Sequence, residues 1–187
     1  PVFTSSATFS AAENQTAIDT VTATDADGDS VTFTVSGSEL AITSAGVLSF
    51  VSAPDYETKS TYTATVTASD GTNSTTQDIT VNVTDVNEAP VFTSNATFSA
   101  EENQTAIGTV TATDADGDDV TFSVSGSELA ITSAGVLTFA ETPDYETKTS
   151  YTTTVTASDG TNSTTQDITV NVTNVNDNSP AFTSNAT

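Results

Sequence analysis

The sequence has no cysteine and no histidine, and its only basic residues are Lys59 and Lys148. Without cysteine, neither a disulfide nor a thiolate metal site can form. Without histidine, cysteine or arginine, the usual general base, thiol nucleophile and anion clamp of enzymes are all absent. We therefore predict that the chain is not an enzyme, and a carboxylate pair of the glycosidase type is the one catalytic alternative left open.

Acidic residues far outnumber basic ones. Two basic residues stand against 25 acidic ones, which gives a formal net charge of −23. Proteins that bind nucleic acids or anionic membranes neutralise phosphates with Lys and Arg, so this composition predicts neither kind of partner. No apolar run approaches the length of a membrane span, and we expect no direct membrane contact.

Hydrophobic residues make up only 35% of the chain, a share that by itself would suggest disorder. Their pattern argues against disorder. Val31, Phe33 and Val35 alternate with Ser and Thr, and 79–83 repeats this alternation, which is typical of half-buried strands. Turn signals such as Asp27-Gly28 and Asp70-Gly71 separate the runs, and no helical period is present. The pattern predicts an all-β fold of two-sheet, antiparallel Greek-key sandwiches with about seven strands each.

The chain is an internal repeat. PVFTSSATFSAAENQTAI at Pro1 recurs as PVFTSNATFSAEENQTAI at Pro90, and the remainder of the first copy recurs in the same order. We predict one sandwich over 1–89 and a second over 90–180 with its linker, the two joined end to end. The segment 181–187 repeats the opening once more, and we expect it to be the truncated start of a third copy.

The carboxylates cluster in five short motifs of each copy, rather than spreading along the strands. In the first copy these motifs are Glu13-Asn14, Asp25-Ala26-Asp27-Gly28-Asp29, Asp55-Tyr56-Glu57, Ala68-Ser69-Asp70 and Asp85-Val86-Asn87-Glu88. Taken alone, the Asp-Gly motif is also typical of a hairpin turn, and Asp55-Tyr56-Glu57 is also typical of an ordinary acidic loop. Five acidic motifs in one order, found twice, favour a metal site built from oxygen ligands.

These motifs resemble, in order and spacing, the calcium-binding motifs of cadherin repeats, and the Thr-, Asp- and Gly-rich composition is similar to the extender regions of large bacterial surface adhesins. The resemblance implies a Ca²⁺ cluster at the junction between the two copies. The ligands it implies are side chains of both copies and of the linker, with backbone carbonyls of Val86 and Ala89: Glu13, Asp55, Glu57, Asp85, Val86, Asn87, Glu88, Ala89, Asp114, Asp116 and Asp159.

The sequence departs from the family pattern at both linkers. The first linker is one residue short, and Ala89 stands where the family has Asn. In the second linker Asn174 replaces the leading Asp, so we expect its cluster to hold metal only in part. That cluster comprises Glu102, Asp144, Glu146, Asn176 and Asp177. Asp25, Asp27 and Asp70 would form half of a further site.

The resemblance implies an extracellular or cell-surface spacer that Ca²⁺ makes rigid, with neighbouring repeats of the same chain as its first partners. We expect the chain to be monomeric. A module that binds another cell or a polysaccharide through the same repeats is the first alternative. A string of Ig-like sandwiches with flexible linkers and no metal is the second.

Overall fold

The structure is a computed structural model that describes residues 1–180. The chain divides into two compact units, the first spanning Pro1–Val86 and the second beginning at Asn87. The sequence repeat restarts later, at Pro90, so the first three residues of the second unit come from the end of the first sequence copy. The expected third copy at 181–187 lies outside the described residues.

Within residues 1–180, each unit contains nine β-strands. Those of the first unit are β1 (Val2–Phe3), β2 (Thr8–Ala12), β3 (Ala17–Thr20), β4 (Ala23–Thr24), β5 (Thr32–Val35), β6 (Leu40–Ile42), β7 (Val47–Phe50), β8 (Thr61–Ser69) and β9 (Ser74–Thr84). Those of the second unit are β10 (Val91–Phe92), β11 (Thr97–Glu101), β12 (Ala106–Thr109), β13 (Ala112–Thr113), β14 (Thr121–Val124), β15 (Leu129–Ile131), β16 (Val136–Phe139), β17 (Ser150–Ser158) and β18 (Ser163–Thr173). Within residues 1–180 there is no helix long and apolar enough to cross a bilayer.

The strands of each unit form a two-sheet sandwich. In the first unit, a four-stranded sheet in the order β2-β9-β8-β5 faces a three-stranded sheet in the order β3-β7-β6, and β1 pairs separately with β4. The second unit repeats this arrangement with β11-β18-β17-β14, β12-β16-β15 and β10-β13. The all-β sandwich class predicted from the sequence is confirmed.

Alternation along the strands fills the core. Ile79, Val81 and Val83 of β9 are buried against Leu48 and Phe50 of β7 in the facing sheet, whereas the Thr and Asn residues between them point outward. Burying a side chain such as Ile79 stabilises the fold by about 1.5–3 kcal/mol. The same positions recur in the second unit, with Ile168, Val170 and Val172 in β18.

One feature extends the sequence expectation and one differs from it. The two sheets of each sandwich hold seven strands, as expected, and a separate two-stranded pair, β1 with β4 or β10 with β13, brings each unit to nine strands within residues 1–180. The sandwich is also not purely antiparallel, since β2 runs parallel to β9. Alternation determines which face of a strand is buried, but it does not determine which strand lies beside it.

The parallel pairing positions the acidic motifs. The register aligns Ala12 with Thr84, so Glu13 and Asp85 follow their strands at the same edge of the sheet. In the second unit Glu101 aligns with Thr173, which brings Glu102 to the same place beside Asn174. Two motifs that lie far apart in sequence thus meet at one end of each sandwich.

Candidate metal centre

Glu13 is the buried centre of the acidic group in the first unit. Its side chain is only 3% exposed. One carboxylate oxygen, Oε1, accepts a hydrogen bond from the N–H of Val86 at 2.8 Å, and Oε2 accepts one from the N–H of Tyr56 at 2.8 Å. Glu13 therefore ties the start of the linker to the 55–57 loop through two charge-assisted hydrogen bonds.

Asp55 and Glu57 lie on that loop. The Asp55 carboxylate accepts hydrogen bonds from the N–H of Thr58 at 3.0 Å and from its hydroxyl at 3.0 Å, which fixes the turn. One carboxylate oxygen from each of Glu13, Asp55 and Glu57 lies within 4.8 Å of the other two. Such a set of oxygens suits Ca²⁺, which takes six to eight oxygen ligands and accepts mono- or bidentate carboxylates.

The second unit gathers a different set of predicted ligands. Its first residues dock on the loop that follows β13: the N–H of Glu88 donates to Asp116 Oδ2 at 2.9 Å. They also dock on the turn after β17, where Asn87 Nδ2 donates to Asp159 Oδ2 at 2.9 Å. Asn162 closes this arrangement by donating from Nδ2 to the carbonyl oxygen of Asn87 at 2.8 Å.

Two aspartate oxygens of this set are shielded from solvent and accept no hydrogen bond. They are Asp114 Oδ2 and Asp116 Oδ1. The other oxygen of each carboxylate is used, since Asp114 Oδ1 accepts the N–H of Asp116 and Asp116 Oδ2 accepts the N–H of Glu88. An anionic oxygen that is removed from water without a donor or a cation is strongly destabilising, so these two atoms fit a cation.

Asp159 is held in its charged form. Burial raises the pKa of this carboxyl, but the hydrogen bonds from the Asn87 amide and from the N–H groups of Thr161 and Asn162 outweigh that effect and leave the pKa below its ordinary value. The N–H groups of Asn73 and Thr72 lower the pKa of the equivalent Asp70 in the first unit. Both carboxylates are therefore available as anionic ligands near neutral pH.

The predicted ligands thus fall into two groups. Glu13, Asp55 and Glu57 come together in the first unit, and Asn87, Glu88, Asp114, Asp116 and Asp159 come together in the second. Asp85 and Val86 directly follow β9, and Val86 contributes its N–H to Glu13. The proposed roles of the Val86 and Ala89 carbonyl oxygens, and of the junction as one shared site, stay predictions.

Sequence reasoning missed Asn162 and the backbone N–H of Tyr56. The sequence feature that could have identified Asn162 is the Asp-Gly-Thr-Asn turn after β17. In this turn the N–H of Asn162 also donates a hydrogen bond to Asp159 Oδ1 at 2.6 Å. Nothing in the sequence marks the N–H of Tyr56, because its acceptor is remote in the chain and is brought close only by the fold.

A second acidic cluster lies within the second unit. Oxygens of Glu102, Glu146 and Asp177 lie within 4.8 Å of one another. Glu102 is 3% exposed and accepts the N–H groups of Val175 at 2.7 Å and Tyr145 at 2.8 Å, so it repeats the arrangement of Glu13. Of the residues expected to hold metal in part, these three therefore come together.

Similar proteins were found by sequence and by structure. A family model described as a bacterial Ig domain matches residues 87–173. The protocadherin-like wing polarity protein stan of Drosophila melanogaster is 37% identical over 201 residues, which cover 90% of this chain and 6% of that protein. Human protocadherin-15 is 35% identical over 182 residues, which cover 86% of this chain and 9% of that protein. The chain thus spans less than a tenth of these relatives.

Among solved structures, a crystal structure of human protocadherin-24 EC1-2 (form II) matches with a TM-score of 0.66. The alignment covers 94% of this chain and 98% of that one at 22% sequence identity. At this identity the match shows a shared fold.

Proposed function

This chain consists of cadherin-like tandem repeats, and we propose that it is a calcium-binding spacer of an extracellular or cell-surface adhesin. The first ligand group belongs to the unit that ends at Val86 and the second to the unit that begins at Asn87, and we propose that Ca²⁺ is bound by both groups together. The resulting joint would be stiff, and a series of such repeats would project a binding domain away from its attachment point.

The observation that supports the proposal most directly is the pair of shielded oxygens, Asp114 Oδ2 and Asp116 Oδ1. Like charges about 5 Å apart repel by roughly 3 kcal/mol at an effective dielectric constant of 20. A chain with a net charge of −23 has no spare basic side chain for these sites, because Lys59 and Lys148 pair with Glu39 and Glu128. A divalent cation is the remaining source of compensating charge.

In this proposal, hydrogen bonds within the chain position the linker, and Ca²⁺ supplies the compensating charge. Glu13 holds the linker and the 55–57 loop through backbone hydrogen bonds, and Asn87 and the Glu88 N–H attach the next residues to Asp159 and Asp116. Ca²⁺ would supply the positive charge that lets the remaining carboxylate oxygens face one another. The affinity expected for an extracellular module of this kind is on the order of 10⁻⁴–10⁻³ M.

Calcium titration tests the proposal. At a hundredfold excess over Kd, binding to the folded form should raise the free energy of unfolding by about 2.7 kcal/mol. Glu57→Ala should remove most of this gain, because it deletes a ligand from the first group. Glu39→Ala is the control, since Glu39 is exposed, pairs with Lys59 and is not one of the clustered carboxylates.

The expected result is a rise in melting temperature with calcium for the parent chain and for Glu39→Ala, and a much smaller rise for Glu57→Ala. Small-angle scattering should show a narrower distribution of interatomic distances with calcium than in chelator. We expect neither self-association nor glycan binding. Equal calcium responses in all three chains would contradict the ligand assignment, and glycan binding would favour the polysaccharide-binding alternative.

A further inference from the structure

The second acidic cluster takes two of its hydrogen-bond donors from side-chain amides. Asn174, which stands at the position of Asp85, donates from Nδ2 to Glu146 Oε1 at 2.9 Å. Asn103 donates from Nδ2 to Asp177 Oδ2 at 2.6 Å. Because a carboxylate oxygen can only accept, the donating atom of each Asn must be its amide nitrogen.

The backbone supplies a third attachment. The N–H of Val175 donates to the buried carboxylate of Glu102 at 2.7 Å. Each of the three clustered carboxylates, Glu102, Glu146 and Asp177, therefore accepts at least one N–H from the second unit itself. These donors place partial positive charge where three anionic oxygens lie within 4.8 Å of one another.

The first copy cannot form the same contact. Asp85 has no N–H on its side chain, so it cannot donate to Glu57 as Asn174 donates to Glu146. At neutral pH an Asp beside Glu57 adds negative charge to the group, whereas an Asn reduces it. One substitution thus converts a position that favours a cation into a position that supplies a donor.

We propose that Asn174 and Asn103 form an amide latch, which holds the 174–178 linker on its repeat without metal and makes this cluster less responsive to calcium than the first. A cation at Glu146 would compete with the Asn174 amide for the same carboxylate, and this competition lowers the affinity. Repeats joined by the two kinds of linker would then differ in their need for calcium. The calcium part of the inference rests on the proposed function, but the latch itself does not.

Backbone hydrogen exchange at Val175 and Val86, followed by NMR, tests the latch first in chelator and then in calcium. Asn174→Asp removes the donor and adds a charge, and it should speed exchange at Val175 in chelator by about fivefold. Asp85→Asn is the reciprocal variant and should slow exchange at Val86 in chelator. Asn178→Asp adds the same charge to the same linker and should change exchange at Val175 much less.

In calcium, Asn174→Asp should show a larger gain in protection at Val175 than the parent chain does. Unchanged exchange at Val175 in chelator on Asn174→Asp would overturn the latch, as would an equal effect of Asn178→Asp. If calcium changed neither the exchange at Val86 nor the melting temperature of any variant, the calcium-binding spacer would be refuted, while the comparison in chelator would still decide the latch.

Discussion

Replacing Glu13 with Gln preserves the size of the side chain and removes one of its two anionic acceptors. In the structure both carboxylate oxygens accept a backbone N–H at 2.8 Å, one from Tyr56 and one from Val86, and the side chain is 3% exposed. A Gln has a single acceptor oxygen, so one N–H must face the new NH₂ group. Leaving a buried donor unsatisfied costs about 1–3 kcal/mol, and the loss of charge weakens the remaining bond.

Together these effects should lower the stability of the first unit by about 3 kcal/mol. For a unit of this size, that corresponds to a fall in melting temperature of roughly 15 °C. The effect should appear in chelator, because the two hydrogen bonds need no metal. If Glu13 acted only as a calcium ligand, Glu13→Gln would match the parent chain in chelator and differ from it only in calcium.

Scanning calorimetry of the parent chain and of single variants measures this difference. The two units are nearly identical in sequence, so Glu13→Gln should separate one early transition from one that stays near the parent value. Glu102→Gln is the matched variant, because Glu102 accepts Tyr145 and Val175 in the same way. Glu39→Gln is the control and should lose less than about 1 kcal/mol, since its ion pair with Lys59 is exposed.

A fall of only a few degrees for both Glu13→Gln and Glu102→Gln in chelator would refute the reasoning. It would mean that the buried carboxylates do not hold the linkers through backbone hydrogen bonds. A similar fall for Glu39→Gln would show that the loss reflects charge in general and not these contacts.

Two further predictions concern the turns and the dependence on pH. In a urea titration, Gly46→Ala should destabilise the first unit by roughly 2 kcal/mol or more beyond the effect of Gly37→Ala. Both glycines have positive φ, but only at Gly46 would the new Cβ meet a backbone atom, the Val21 oxygen at 2.1 Å. Because the folded-state pKa values of Asp70 and Asp159 lie below the ordinary 3.8, the stability that these groups contribute is present above that pH and is lost as the pH falls below it. Urea midpoints in chelator should therefore fall between about pH 4 and about pH 2, and the fall should be smaller in Asp159→Asn; an equal fall in both chains would contradict the assignment.

Much of the fold could be read from local pattern. The alternation at 79–83 correctly identified Ile79, Val81 and Val83 as core residues, because the side chains of a strand point alternately to its two faces. The pairing of β2 with β9 could not be predicted from alternation, since long-range packing determines which strands are neighbours in a sheet. The two sheets of each sandwich hold the expected seven strands, but the separate pairing of β1 with β4 was not predicted, because it too joins segments that are remote in the chain.

In the candidate site, the clustered carboxylates were predicted from the sequence, but the groups that donate hydrogen bonds to them were not. The resemblance to cadherin repeats implied Glu13, Asp55 and Glu57 as ligands from one end of the first repeat, and the structure brings their oxygens together. The hydrogen-bond donors were not predicted: the N–H of Tyr56 and the amide of Asn162 reach their acceptors across many residues of chain. The effect of Asn174 was expected as a loss of charge, whereas the structure shows that it also supplies a donor to Glu146.

The sequence by itself determined that this chain is a repeat of acidic β-sandwiches, because composition, alternation and repetition are properties of the linear order of residues. Only the tertiary structure decided which carboxylates meet and which N–H groups they accept. Those contacts depend on the parallel register of β2 with β9 and of β11 with β18, and that register follows from how two whole sheets pack around their core.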